Sequence, residues 1–219
     1  MKPKAIVFDA YGTLFDVNSA AERCKSKLGN KWESFANYWR TTQLEYTWLR
    51  SLMKKHKDFW QITEDSLNKS MKVFNIDNNL KNELLTLYKI LSPYPEVKKV
   101  LTDLKEKKFK LAILSNGTPE LLEDLVKKNN LNNLFDDLFS IEEVKIYKPD
   151  SKVYDLPVKK YNIKPNEIVF LSANTWDVSA GGNYGFNPVW VNRNNSIFDN
   201  LDYVPKYHVK HLGKLLDII

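Results

Sequence analysis

Short runs of consecutive apolar residues, most of them closing on a polar side chain, alternate along this chain with longer segments whose apolar residues recur every three or four positions. Ala5-Ile6-Val7-Phe8 runs into Asp9, and comparable runs lie at 109–114, 138–141, 168–171 and 188–191. Runs without alternation predict strands covered on both faces, the kind that parallel α/β sheets contain. The segments between them carry the period of helices: 17–28, 32–55, 59–74, 80–91, 97–107, then one opening at Thr118-Pro119, one after Lys148-Pro149-Asp150 and one after Trp176-Asp177. In the second of these helices Trp32, Phe35, Ala36, Trp39, Tyr46, Leu49 and Met53 share one face. Residues 207–209 predict an edge strand before a last helix. Ser92-Pro93-Tyr94-Pro95 ends the all-helical stretch. The pattern therefore divides the chain into an α/β parallel-sheet core, 1–15 and 93–219, and an inserted helical cap, 16–92.

Composition narrows the possibilities rather than adding chemistry. The 219 residues suit one α/β domain with an insertion, and 43% hydrophobic residues supply its core. No run approaches the roughly eighteen apolar residues of a membrane span. The chain goes directly into a strand without a signal-peptide layout, and the lone Cys24 allows no internal disulfide. Both point to a reducing, cytoplasmic setting. Cys24 itself reads as a small residue packed in a helix. The net charge of +6 is spread over pairs such as Lys54-Lys55, Lys98-Lys99 and Lys127-Lys128. It lacks the clustering that nucleic-acid binding needs, and suits a small anionic substrate. His56, His208 and His211 fall in no zinc-ligand spacing.

Three apolar runs end in chemistry: Asp9 after the first, Ser115-Asn116 after the second, and Ser172, Asn174 and Asp177 after the fourth. Parallel strands of one sheet bring their carboxyl ends to one edge, where open α/β sheets hold ligands. Lys148, before Pro149, can join from a loop. Gly12 lets the backbone fold back close to whatever Asp9 holds. The set offers a carboxylate nucleophile, a cation, hydroxyl and amide donors and a second acid, which is sufficient for covalent catalysis with stabilisation of a leaving anion. Each residue also has an ordinary reading: Ser115 and Asn116 as turn formers, Lys148 as a surface lysine, Asp177 as a helix-start acid. Their joint occurrence at strand ends is what favours a site. On the helix at 32–55, Arg40, Leu44 and Trp48 form a second stripe at i, i+4 and i+8, away from the Trp32/Trp39/Tyr46 face. It suits a cleft or a partner.

Four segments, Phe8-Asp9-Ala10-Tyr11-Gly12-Thr13-Leu14-Phe15-Asp16, Leu114-Ser115-Asn116-Gly117, Tyr147-Lys148-Pro149-Asp150 with Tyr154, and Ser172-Ala173-Asn174-Thr175-Trp176-Asp177, resemble the motifs of the haloacid dehalogenase superfamily. Within it the chain is most similar to the L-2-haloacid dehalogenases. The resemblance implies an α/β, Rossmann-like core with an inserted helical cap domain, and hydrolysis of (S)-2-haloacids to (R)-2-hydroxyacids. It implies Asp9 as nucleophile, Thr13 and Ser172 positioning its carboxylate, and Lys148 balancing charge, itself oriented by Tyr154 and Asn174. Asp177 would activate water. Arg40 and Asn116 would hold the halide, Ser115 and the backbone at Ala10 and Tyr11 the substrate carboxylate, and Leu44, Phe59 and Trp176 the alkyl group. Thr41 stands where some relatives carry glutamine. No metal or other cofactor, no membrane and no nucleic acid is implied, and a homodimer is. The branch choice has a physical argument. Superfamily phosphatases carry a second Asp two residues after the nucleophile, where this chain has Tyr11; an alkoxide leaving group needs that acid and a halide does not. A phosphatase acting on a small phosphate monoester remains the alternative, and a non-catalytic binding protein on the same fold a further one.

Overall fold

The computed structural model describes residues 3–219. Strands β1 (Ala5–Phe8), β2 (Lys110–Ser115), β3 (Asp137–Ser140), β4 (Ile168–Ser172), β5 (Asn187–Val191) and β6 (Tyr207–Val209) form one parallel sheet in the order β3-β2-β1-β4-β5-β6. The central strand β1 is buried throughout, which is why its sequence shows no alternation. The chain builds outward from β1 through β2 to β3, then returns to place β4 on the other side of β1. The ligand crevice of such a sheet lies at this reversal, outside the carboxyl ends of the strands. Register brings those ends level: Phe8 pairs with Ile113 on one side and Leu171 on the other, and Asp9 N–H donates to the Leu171 carbonyl (2.8 Å).

Helices α1 (Ser19–Arg23), α2 (Lys25–Leu28), α3 (Trp32–Leu52), α4 (Phe59–Phe74) and α5 (Lys81–Tyr88) all fall between β1 and α6 (Val97–Glu106). The chain leaves the sheet and returns at neighbouring points. Asp16 N–H donates to the Ser92 carbonyl (2.8 Å) and Tyr94 N–H to that of Leu14 (3.0 Å). Helices α7 (Pro119–Lys128), α8 (Ser151–Tyr161) and α9 (Thr175–Tyr184) connect the later strands. Caps follow from sequence: Thr118 and Asp58 accept the N–H groups of Leu121 and Gln61 at the starts of α7 and α4, and Asn75 and Asn162 adopt left-handed geometry after α4 and α8.

The structure corrects three expectations here. The helix expected at 17–28 is two, broken at Cys24 (ψ 11°), an arrangement that buries both Cys24 and Leu28. The shared face of α3 does not persist. Trp32, Trp39, Tyr46 and Met53 are seven residues apart, and a straight helix drifts by roughly 20° per heptad. By the last turn Leu49 and Met53 are exposed, and the buried stripe is Phe35, Ala36, Trp39, Thr42, Gln43 and Thr47. The last helix is a 3-10 turn, Leu212–Asp217, packed near α6.

Candidate active site

Asp9, Lys148 and Asp177 meet at the carboxyl edge of the sheet. Lys148 is fully buried, with Nζ donating to Asp9 Oδ1 at 3.2 Å and Asp177 Oδ2 at 2.8 Å. It also lies 5.1 Å from the centre of the Phe170 ring. Burial acts to lower the ammonium's pKa, but Asp177 and Asp9 overcome it, and the group sits above the usual lysine value. Burial raises Asp177 above its usual value, with Lys148 restraining the shift. Two carboxylates and one cation thus share a dry site, where the charges are little screened.

The two oxygens of Asp9 are treated differently. Oδ2 accepts from Thr13 Oγ1 (3.0 Å), from Asn174 Nδ2 (2.8 Å) and, at the longer distance of 3.4 Å, from Ser172 Oγ. Oδ1 accepts only from Lys148 among the described residues. Thr13 is fixed in turn by Ala173 N–H, which donates to its hydroxyl (2.8 Å).

Tyr154 and Asn174 do not orient Lys148 as expected. The Tyr154 hydroxyl donates to Asp177 Oδ1 (2.7 Å), and Asn174 serves Asp9 and the Tyr11 carbonyl (3.2 Å). The two carboxylates draw donors from both sides: Lys148 Nζ donates to Asp9 and Asp177, and Tyr154 and Asn174 donate to the remaining oxygens of the same two groups rather than accept from the ammonium. Burial pushes the Tyr154 phenol well above its usual value, so it stays a donor.

Ser115 and Asn116 close the other side. Ser115 Oγ accepts from Gly117 N–H (3.1 Å), and Asn116 Oδ1 from Lys148 N–H (3.2 Å). The N–H groups of Ala10 and Tyr11 meet no protein acceptor among the described residues, which leaves a pair of backbone donors beside Asp9. The Tyr11 ring is wedged between Phe59 (5.0 Å) and Tyr88 (5.9 Å), and burial raises its phenol well above the usual value. Its hydroxyl has no hydrogen-bond partner among the described residues. Gly117 makes this fit possible, because a Cβ there would stand 2.9 Å from the Tyr11 hydroxyl and 3.1 Å from Leu122 Cδ2. Gly117→Ala is expected to cost about 1–3 kcal/mol and to displace Tyr11. A lower urea midpoint at unchanged slope checks it.

The helical insertion delivers Arg40. Its Nη1 donates to Gln43 Oε1 (2.9 Å), while Gln43 Nε2 donates to Thr63 Oγ1 (2.7 Å) and to Tyr88 (3.0 Å). Arg40 borders a polar cavity of about 210 Å³ that Gly12 and Asn174 also line. Sequence reasoning missed Gln43 and Tyr88; the i, i+3 spacing of Arg40 and Gln43 was the available signal. Trp48 and Trp176 meet edge to face (5.5 Å) and wall a second cavity of about 410 Å³ with Lys148, Tyr147 and Ile146. The expected grouping of Leu44, Phe59 and Trp176 is divided. Only Trp176 lines that cavity, Leu44 is half-buried, and Phe59 is fully buried against Tyr11 because aromatic packing takes up its faces. Thr41 is exposed.

The haloacid dehalogenase-like hydrolase family matches residues 3–185. The chain belongs to this family. Among its relatives, (S)-2-haloacid dehalogenase 4A of Burkholderia cepacia is 38% identical over 99% of this chain and 94% of its own. (S)-2-haloacid dehalogenase 1 of Pseudomonas sp. (strain CBS-3) is 41% identical over 94% and 91%. A solved L-2-haloacid dehalogenase from Xanthobacter autotrophicus with chloropropionic acid covalently bound superposes with a TM-score of 0.89 at 31% identity, over 99% of this chain and 98% of that one. In this haloacid dehalogenase-like hydrolase the Tyr11 hydroxyl, buried and without a hydrogen-bond partner among the described residues, is poorly suited to shuttle protons.

Proposed function

We propose that this hydrolase converts (S)-2-haloacids to (R)-2-hydroxyacids through an ester on Asp9, with 16–92 acting as a cap over the core formed by 1–15 and 93–219. The observation that carries the reading is the buried Asp9–Lys148–Asp177 group with Tyr11 where an alcohol leaving group would require an acid. Asp9 Oδ1, with a single donor, keeps the freer lone pair. It attacks C2 from behind the halogen; the C–O bond forms, the C–halogen bond breaks, and the halide leaves with the electron pair. Arg40 and Asn116 receive it. The Ala10 and Tyr11 N–H groups, with Ser115, hold the substrate carboxylate.

Water then attacks the Asp9 carboxyl carbon and gives its proton to Asp177, whose burial-raised basicity suits the task. Charge develops on Oδ2, where Thr13, Asn174 and Ser172 already point their donors. As the bond between the Asp9 carboxyl carbon and Oδ1 breaks, the hydroxyacid oxygen leaves with the electron pair and takes up the proton that Asp177 accepted; Asp9, now carrying the water's oxygen, loses its remaining proton to solvent and is a carboxylate again. Lys148 supplies the positive charge between the carboxylates, so no metal step is invoked. The same reading includes a cytoplasmic location and a homodimer, for which the exposed Leu49 and Leu52 of α3 and Met53 just beyond it offer apolar surface.

Chloride release from (S)-2-chloropropionate, measured beside p-nitrophenyl phosphate hydrolysis with magnesium, tests this. Release that persists in chelator, with negligible phosphatase activity, is the expected result. Magnesium-dependent phosphate release without dehalogenation would overturn it in favour of the phosphatase; silence in both assays would favour the binding protein.

A further inference from the structure

Arg193, two residues beyond β5, is the one arginine that reaches the backbone of the nucleophile loop. Its Nη2 donates to the Thr13 carbonyl at 2.8 Å. Its Nη1 makes an ion pair with Glu96 Oε1 at 2.7 Å, and its guanidinium carbon lies 3.6 Å from the centre of the Tyr94 ring. Glu96 Oε1 also accepts the N–H of Leu212, at the start of the C-terminal 3-10 turn. One planar group therefore touches three separate parts of the fold: the loop that follows Asp9, the segment by which the helical insertion rejoins the sheet, and, through Glu96, the C-terminal turn.

What it grips matters more than how much. Thr13 has two functional atoms. Its hydroxyl donates to Asp9 Oδ2 and accepts from Ala173 N–H; its carbonyl is held by Arg193. With the hydroxyl committed to the nucleophile, the carbonyl contact fixes the peptide plane from which that hydroxyl is aimed. The same loop residues form the crossing into the insertion. Leu14 accepts from Tyr94, Asp16 accepts no part of this grip but donates its N–H to Ser92, and Arg193 stacks on Tyr94. Arg193 thus spans both crossings between core and insertion. A guanidinium suits this because its donors diverge in one plane toward a carboxylate and a carbonyl while its face stacks on an aromatic ring. A lysine ammonium can replace the charge without reproducing the fork.

We propose that Arg193 is a positioning residue for the reaction: through Thr13 it sets the aim of the Asp9 carboxylate, whereas its contacts with Glu96 and Tyr94 hold together the segment that returns from the helical insertion and the C-terminal turn. The inference rests on the dehalogenase reading. It does not make Arg193 a catalytic group.

The test compares Arg193→Gln, Arg193→Lys and Glu96→Gln in the full chain, with (S)-2-chloropropionate as substrate. Single-turnover ester formation and steady-state kinetics are read beside the urea midpoint. Displacement of a reacting group by about 1 Å costs about a hundredfold in rate, so Arg193→Gln should lower kcat at least about tenfold with KM changed less than about threefold. Arg193→Lys should recover part of kcat while stability stays close to that of Arg193→Gln. Glu96→Gln, which keeps the guanidinium on Thr13, should lose stability with kcat within about twofold of the parent. If kcat follows stability across all three variants, or if Arg193→Gln turns over normally, the inference is wrong. Should Arg193→Gln not fold, the split between Arg193→Lys and Glu96→Gln decides alone. A parent protein that releases no chloride at all would instead overturn the dehalogenase reading itself.

Discussion

Lys148→Met is expected to abolish haloacid turnover and to destabilise the protein by about 3–5 kcal/mol, the cost of leaving buried charges without their partner. Methionine follows the stem of lysine to within one atom and lacks its charge, so the apolar packing of the stem is largely kept. What is lost is the cation 3.2 Å from Asp9 and 2.8 Å from Asp177. Two buried carboxylates then face each other, and one must take up a proton. Asp177, already raised by burial, loses the ammonium that restrained it and rises further. A carboxyl whose folded pKa exceeds its unfolded one favours folding as pH falls through the carboxylate range. The variant should therefore gain stability toward mildly acidic pH relative to the parent, a difference that urea unfolding at several pH values reads directly. In the parent, Lys148 sits above its usual value, so its contribution is complete below the unfolded lysine pKa and fades above it. The buried phenols Tyr11 and Tyr154, also raised, act with the same sign on the alkaline side. Near-parental turnover by Lys148→Met would remove the charge-balancing role assigned to this residue.

A single turnover in oxygen-18 water, with enzyme in excess, should place the label in the peptide containing Asp9 and leave the hydroxyacid unlabelled. The reason follows from which bond breaks. If Asp9 Oδ1 attacks C2, that oxygen stays with the product, and water restores the carboxylate by attacking its carbon. A second displacement at C2 would return the starting configuration, so inversion and labelled Asp9 belong together. Oδ2, with its three donors, is placed to bear the charge of that second step, whereas Oδ1 is the freer oxygen for the first. Asp177→Asn should slow ester cleavage more than ester formation, and mass spectrometry should then find Asp9 carrying the substrate carbon chain. Label that passes straight into product on the first turnover would mean that Asp9 acts as a base on water.

The sheet was legible from sequence because β1, β2 and β4 are covered on both faces, and full burial writes itself as an unbroken apolar run. The ends of those runs carried most of the site: Asp9, Ser115 and Ser172 are one edge of a parallel sheet, whichever loops join them. Lys148, Asn174 and Asp177 were legible through their motifs. The direction of their contacts was not. Tyr154 serves Asp177 and Asn174 serves Asp9, because each donor finds the nearest free carboxylate oxygen, and which oxygen that is depends on loop geometry finer than any spacing rule. The drift that exposes Leu49 and Met53 accumulates over α3 and is decided by what α3 packs against. Arg193 lies far from every motif, and only the return of β5 to the sheet brings it to Thr13. The sequence by itself determined which residues sit at strand ends, since burial patterns are local. The tertiary structure decided who bonds whom there, since hydrogen bonds depend on ångström-scale distances and directions that only the assembled fold supplies.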